Sequence, residues 1–292
     1  MKPPNFKYYA ARSDEQALGL LAEHGDGARV IAGGQSLVQD MNARRVAPRV
    51  LIDVNSIGEL DFVRPEDGTF VIGALTRTAT VERDGDVTGR LPVLAEAAAR
   101  VGHVAVRNRG TVGGNVAHAD PAGNLAPVAL ALDAVLVARG PDGGRDIAVA
   151  DFFVGPHRTS LDPTELLTEV RLPAPPPGAG STFLEISRRG RGWGLAGVAA
   201  VVALGDDGTV SEARLALSGV GPTAVRARDA EAAVRGERAS EETWRAAAEA
   251  AAAALEDPPS DIHASADFRR HLAGVLVRRA LGVAAARAEG RS

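Results

Sequence analysis

The sequence predicts an α+β protein in two parts, and three observations carry that reading. Near the amino end, two apolar runs flank a double glycine and a short helical stretch, the pattern of strand, loop, helix and strand with parallel pairing. In the middle, turn residues between extended segments favour hairpins over crossovers. Past residue 173, a cluster of prolines precedes three extended and three helical segments, which predicts a small antiparallel sheet backed by helices.

Taken in order, Ser13 and Gln16 have capping-box spacing, and Ala17, Leu18, Leu21 and Ala22 recur with a helical period, so a helix is expected over 14–24. Ala28 to Ala32 and Val50 to Val54 read as strands on either side of Gly33-Gly34 and a short helix ending near Arg44. Phe62 to Ala74 reads as a hairpin turning at Glu66-Asp67-Gly68. Leu91 to Val101 has helical spacing. After a glycine-rich stretch at 110–123, Ala126 to Leu132 is expected as a buried helix, and Ala134 to Ala138 as a strand entering the turn Gly140-Pro141-Asp142-Gly143-Gly144.

Pro173, Pro175, Pro176 and Pro177, then Gly178 and Gly180, mark the main boundary, because proline neither donates to a sheet ladder nor continues a helix. The expected division is residues 1–174, with subdomains of about 1–57 and 58–174, and a closing lobe at 178–290. In that lobe Thr182 to Ser187, Gly197 to Leu204 and Val210 to Ser218 read as strands, the last two joined by Gly205-Asp206-Asp207-Gly208. Asp229 to Val234, Glu241 to Leu255 and Ala266 to Ala288 read as helices.

Composition removes whole classes of function. With 45% hydrophobic and 24% charged residues, the 292-residue chain is not disordered, and 37 acids against 33 bases leave no electrostatic footprint for nucleic acid. Its lack of cysteine excludes disulfides, cysteine-ligated zinc, thiol catalysis and an iron–sulfur cluster held by this chain. Neither a secretory leader nor an apolar run of about 18 residues is present, so a cytoplasmic location without a membrane span is expected.

Two glycine motifs concentrate the chemistry. Ala32-Gly33-Gly34-Gln35-Ser36-Leu37 lies between a strand and a helix, where amide N–H groups can approach an anion with no side chain in the way; a tight turn is the plain alternative. Arg109-Gly110-Thr111-Val112-Gly113-Gly114-Asn115 is followed by His118-Ala119-Asp120-Pro121-Ala122-Gly123-Asn124-Leu125. Here paired glycines stand beside a hydroxyl, two amides, an imidazole and a carboxylate, a density that a connecting loop does not require. His118 with Asp120 lacks the ligand count for a metal, and no metal site is expected.

Other motifs lead nowhere. Gly192, Gly194 and Gly197 match the spacing of the dinucleotide fingerprint, but Val198 to Leu204 is β-branched, short, and ends in a hairpin turn, so the βαβ reading is rejected. No nucleophile elbow of the G-x-S-x-G kind is present. Arg188, Arg189 and Arg191 form a short basic cluster that could meet a phosphate, with an exposed turn as the commoner explanation.

Together, A-G-G-Q-S-L at 32–37 and T-V-G-G-N at 111–115 with D-P-A-G-N-L at 120–125 closely resemble the FAD-binding medium subunit of molybdenum hydroxylases. This family includes the carbon monoxide dehydrogenase flavoprotein and the FAD domain of xanthine dehydrogenase. The resemblance extends from Phe6-Lys7-Tyr8-Tyr9 through the proline segment to Phe183-Leu184-Glu185. It implies a vanillyl-alcohol-oxidase-type (PCMH-type) FAD-binding fold of two subdomains under a C-terminal lobe. The FAD diphosphate would lie on backbone N–H groups of Gly33 to Leu37, with Ala32 before them, and of Thr111 to Asn115, that is Thr111, Val112, Gly113, Gly114 and Asn115. Asp120 and Asn124 would complete the cofactor turn, and Leu161 matches a position that packs the adenine end. The family places an aromatic, here Trp193, over the isoalloxazine ring, and the flanking Gly192 and Gly194 would let it swing aside as a gate; a tryptophan capping the lobe's own core is the plain alternative. Three departures stand out: Asn124 replaces an acid, Glu185 takes a position often held by lysine, and Gly192-Trp193 keeps the aromatic of an Asp-aromatic pair while losing its acid.

The resemblance further implies non-covalent FAD, with the molybdenum cofactor and [2Fe-2S] clusters on partner chains, an iron–sulfur small subunit and a molybdenum-binding large subunit. Electrons would pass from the clusters through the flavin to an external acceptor such as NAD, oxygen or quinone. The competing expectation is a stand-alone FAD-dependent oxidoreductase that dehydrogenates a small molecule directly. A non-enzymatic scaffold has only the alanine-rich C-terminal helices in its favour.

Overall fold

A computed structural model describes residues 2–188, 192 and 194–290. The first unit is built on a parallel three-stranded sheet of order β1-β3-β2, with β1 Lys7–Ala10, β2 Ala28–Ile31 and β3 Val50–Asp53. Helix α1, Asp14–His24, connects β1 to β2, and Ser13 caps it by accepting from the Gln16 amide. Helix α2, Leu37–Asn42, connects β2 to β3. The expected strand, loop, helix and parallel strand are therefore all present, while β1 was not anticipated. Ala17, Leu21, Val50, Ile52 and Val54 close the core of this unit.

The second unit is an antiparallel five-stranded sheet of order β4-β5-β10-β6-β7. Strands β4, Val63–Glu66, and β5, Thr69–Gly73, form the hairpin expected at Asp67-Gly68. Six helices follow: α3 Thr78–Arg83, α4 Gly85–Arg90, α5 Pro92–Arg100, α6 Val104–Arg107, α7 Val112–His118 and α8 Leu125–Ala131. Then come β6 Val135–Gly140, β7 Gly143–Ala148, the short α9 Val149–Phe152, a two-stranded ribbon of β8 Phe153–Gly155 and β9 Arg158–Thr159, and β10 Leu166–Pro173. β10 is the central strand, yet it escapes period-two reading because a register shift between Leu167 and Glu169 breaks its alternation. All of α8 is buried, as its apolar run predicts.

The third unit is an antiparallel sheet of order β11-β12-β13-β14, comprising Gly180–Ser187, Gly194–Leu204, Val210–Ser218 and Val225–Arg226. Helices α10 Arg228–Val234, α11 Glu241–Ala253 and α12 Ala266–Ala288 complete it, close to the expected bounds. One sheet face, with Val198, Ala200, Leu215 and Leu217, packs with α11 and α12. The other, with Phe183, Ala199, Val201 and Ala216, joins the core of the second unit. Glu96 of α5 seals that junction, accepting from the Thr182 hydroxyl and the Phe183 amide at 2.8 Å each and pairing with Arg287 at 2.7 Å. Gly180 allows α12 to sit directly on β11, since a Cβ there would lie 2.0 Å from the Ala284 carbonyl.

Candidate functional site

The loop Ala32–Leu37 leaves the C-terminal end of β2, the end of a parallel sheet where ligands commonly sit. The amides of Gly33, Gly34, Gln35, Ser36 and Leu37 donate to no other described residue. Gly34 takes the left-handed conformation, φ +70°, that favours glycine. Ser36 forms no capping bond with its side chain, so its hydroxyl remains free for a ligand oxygen. With only six residues, α2 contributes little dipole, and the amides themselves make this a cradle for negative oxygen.

The second glycine motif is a helix start, within the stretch that the sequence marks only as glycine-rich. Thr111 caps α7, its hydroxyl accepting from the Gly114 amide at 3.1 Å. Gly113 lies against β5, where a Cβ would fall 2.4 Å from the Ala74 Cβ. One expectation is corrected here. The amides of Val112, Gly113, Gly114 and Asn115 donate to Thr76, Ala74, the Thr111 hydroxyl and the Thr111 carbonyl, respectively. They are spent within the protein, so this motif offers side chains and a close backbone surface in place of a row of free amides. Asn115 supplies the side chain: its Oδ1 is buried without a partner, and the amide can turn either oxygen or nitrogen toward a ligand.

The two motifs touch. A Cβ on Gly33 would lie 2.2 Å from the Arg109 carbonyl and 2.7 Å from the Gly110 Cα. A strap that sequence reasoning missed holds them in register. Asn55, just past β3, donates to the Ala32 carbonyl at 2.7 Å and accepts from Arg77 at 2.9 Å, while Arg77 donates to the Arg109 carbonyl at 2.7 Å. Asp53 orients Asn55 and in turn accepts from Tyr8 at 2.5 Å. Burial pushes the Asp53 carboxyl up, but the Tyr8 hydroxyl, the Asn55 donors and the Arg77 charge together hold it below its ordinary value. Nothing in the local sequence around Asn55 marks it; only the fold brings it to the glycine loops.

Asp120 accepts from the Ala122 amide at 2.9 Å and builds the turn that follows α7. Asn124 stands at the start of α8 and donates to Glu185 on β11, so two of the departures from the family pattern meet as a hydrogen-bonded pair. Burial raises the Glu185 pKa, opposed by the Asn124 hydrogen bond and the Arg100 charge. Leu161 is half-buried beyond β9 and packs on the core of the second unit. His118 stacks obliquely on His157, ring centroids 4.7 Å apart, and burial with the neighbouring imidazole lowers its pKa against Asp120 and Asp40. No group of three or more potential metal ligands occurs among the described residues. Trp193 lies outside the described residues, as do Arg189 and Arg191 of the basic cluster. Gly194 and Gly197 belong to β12, antiparallel to both neighbours, as the rejection of the βαβ reading requires.

Free amides on one loop, an unpartnered buried amide side chain on the other and backbone contact between them suit a ligand with a negatively charged diphosphate, as expected of a dinucleotide-binding class of protein. The family described as FAD binding domain in molybdopterin dehydrogenase matches residues 4–175, and the CO dehydrogenase flavoprotein C-terminal domain matches residues 181–284. The chain belongs to this family, the medium FAD subunits of molybdenum hydroxylase-type dehydrogenases, and is a FAD-dependent oxidoreductase component. It is 43% identical over 288 residues to the 6-hydroxypseudooxynicotine dehydrogenase complex subunit alpha of Paenarthrobacter nicotinovorans, covering 99% of this chain and 97% of the relative. The carbon monoxide dehydrogenase medium chain of Hydrogenophaga pseudoflava is 40% identical over 287 residues, 98% of this chain and 99% of the relative. The solved carbon monoxide dehydrogenase of that organism, lacking the Mo-pyranopterin moiety, superposes with a TM-score of 0.95 at 42% identity, covering 98% and 99% of the two chains.

Proposed function

We propose that this chain is the electron-transfer subunit of a molybdenum-containing hydroxylase or dehydrogenase, taking electrons from iron–sulfur clusters on a partner chain and delivering them to an external acceptor. The observation that carries the reading is the pair of touching glycine loops in a chain with no cysteine: it has a place for a flavin and no thiolate for a cluster. FAD, when bound, supplies one- and two-electron transfer between carriers of different kinds. The protein's own contribution is to hold and shield it. Gly33 to Leu37 offer amides to the diphosphate, with Ala32 fixed behind them by Asn55. Thr111 and Asn115 offer side-chain oxygen and amide groups, while Val112, Gly113 and Gly114 give the close surface. Asp120 and Asn124 shape the adjoining turn, and Leu161 gives an apolar contact for the adenine end.

In this reading residues 1–174 form the FAD-binding part, with subdomains of about 1–57 and 58–174, and 178–290 form the closing lobe. Their support is the separate parallel and antiparallel sheets of the first part and the third sheet of the lobe. The flavin is held non-covalently, since the loops that cradle it carry no histidine, cysteine or tyrosine from 32 to 37 or 111 to 115. The partners are an iron–sulfur small chain and a molybdenum-binding large chain, the acceptor is NAD, oxygen or quinone, and the location is cytoplasmic. No helix among the described residues is long and apolar enough to cross a membrane.

Affinity purification from the native host, with metal and flavin analysis, tests the role. Co-purification of a cysteine-rich small chain and a large molybdenum-containing chain supports it. A pure, uncomplexed chain that turns over an organic substrate supports the stand-alone reading instead.

A further inference from the structure

Arg269, near the start of α12, is only 4% exposed and reaches three segments. Its Nη1 donates to the Leu195 carbonyl at 2.6 Å and the Gly219 carbonyl at 3.0 Å, and its Nη2 donates to Asp261 Oδ2 at 2.8 Å. Leu195 stands at the head of β12, and Gly219 directly follows β13. These two backbones are in contact: Gly219 has φ +75°, and a Cβ on it would lie 2.6 Å from the Leu195 carbonyl. From the same residue, the Gly219 amide donates to the Pro121 carbonyl at 2.7 Å, inside the turn Asp120–Asn124. One guanidinium therefore sits a single peptide away from the turn that borders the glycine loops.

Stability alone does not call for this arrangement. A buried ion pair is commonly matched or bettered by apolar residues of similar volume, because desolvation offsets most of the attraction. What a planar guanidinium does, and an ammonium or an apolar side chain does not, is fix two carbonyls and a carboxylate in one fork. We propose that Arg269 is a positioning residue for the cofactor turn: it fixes the Gly219 backbone and, through the Gly219 amide, sets Pro121 and the Asp120–Asn124 turn against the flavin site. The proposal rests on the FAD reading of that turn. The arm to Asp261 serves a different end, holding the loop before α12, where Asp261 also accepts from the amides of His263 and Ala264.

FAD titration of the purified full-length chain, followed by visible absorption and by the reduction potential of the bound flavin, separates the two layers. Failure of the wild-type chain to bind FAD overturns the reading of the turn itself. Given wild-type binding, Arg269→Lys raises the FAD dissociation constant about tenfold, the loss expected for displaced charge-assisted hydrogen bonds, and shifts both flavin spectrum and potential. Asp261→Asn lowers the melting temperature and keeps FAD affinity within about twofold, because both carbonyl arms survive. An Arg269→Lys protein with wild-type affinity, spectrum and potential overturns the proposal. So does an Asp261→Asn protein that loses affinity as fully as Arg269→Lys, which would assign the effect to the loop.

Discussion

Gly33, in the loop after β2, and the carbonyl of Arg109, in the turn before α7, are in backbone contact with room for no more than a hydrogen: an added Cβ would lie 2.2 Å from that oxygen. The obstacle is main chain and cannot swing aside, so Gly33→Ala must separate the glycine loops. FAD affinity should fall by about tenfold to a hundredfold, matching strain of a few kcal/mol. Gly58→Ala, which meets nothing within 4 Å, is the control that should bind normally. Equilibrium dialysis with FAD measures both.

Thr111→Ala removes the oxygen that accepts from the Gly114 amide at the start of α7. The expected cost is about 1 kcal/mol, or roughly 2–4 °C in melting temperature for a chain of this size. Thr111→Ser keeps the hydroxyl and should recover most of the loss. Thermal denaturation of the three proteins, with and without FAD, reads the effect.

Asn55→Ala breaks the strap at its centre, losing the bonds to Ala32, Asp53 and Arg77 together. FAD affinity should drop about tenfold as the loops lose register. Arg45→Ala, which removes only an exposed arginine's bond to Asp40, should leave it unchanged.

This strap also marks where sequence reading stopped. The glycine motifs were legible because Gly-Gly between periodic segments has few uses, and the sandwiched third sheet was legible from its apolar runs and Asp-Asp-Gly turn. Asn55, Arg77 and Arg269 were not, since each acts on backbone atoms 23 or more residues away and carries no local pattern. The start of α7 was hidden by its own glycines, which disfavour helix in isolation and are tolerated here because Gly113 must approach Ala74. Of the free amides expected at 111–115, those of 112–115 are used by a helix start packed on β5, for the same reason.

Glu185 gives the pH prediction. Burial raises its carboxyl above the ordinary value near 4.5, despite the Asn124 hydrogen bond and the Arg100 charge. The folded chain then keeps a proton that the unfolded chain has released. Stability from this group is full below the ordinary glutamate value and is lost as pH rises through the folded value. Glu185→Gln removes the dependence, so the melting temperature of the variant minus that of the wild type should grow more positive from acid to neutral pH. A difference that is flat with pH would contradict a buried, proton-holding Glu185.

The central claim is that this chain alone builds a site for a single, non-covalent FAD where the two glycine loops meet. Titration of the purified chain with FAD, followed by acid precipitation of the complex, tests it most directly. Saturation at a single FAD per chain, abolished or strongly weakened in Gly33→Ala and with the yellow colour released into the acid supernatant, is the predicted result. Absence of saturable binding, binding unchanged in Gly33→Ala, or flavin retained in the precipitate would contradict it.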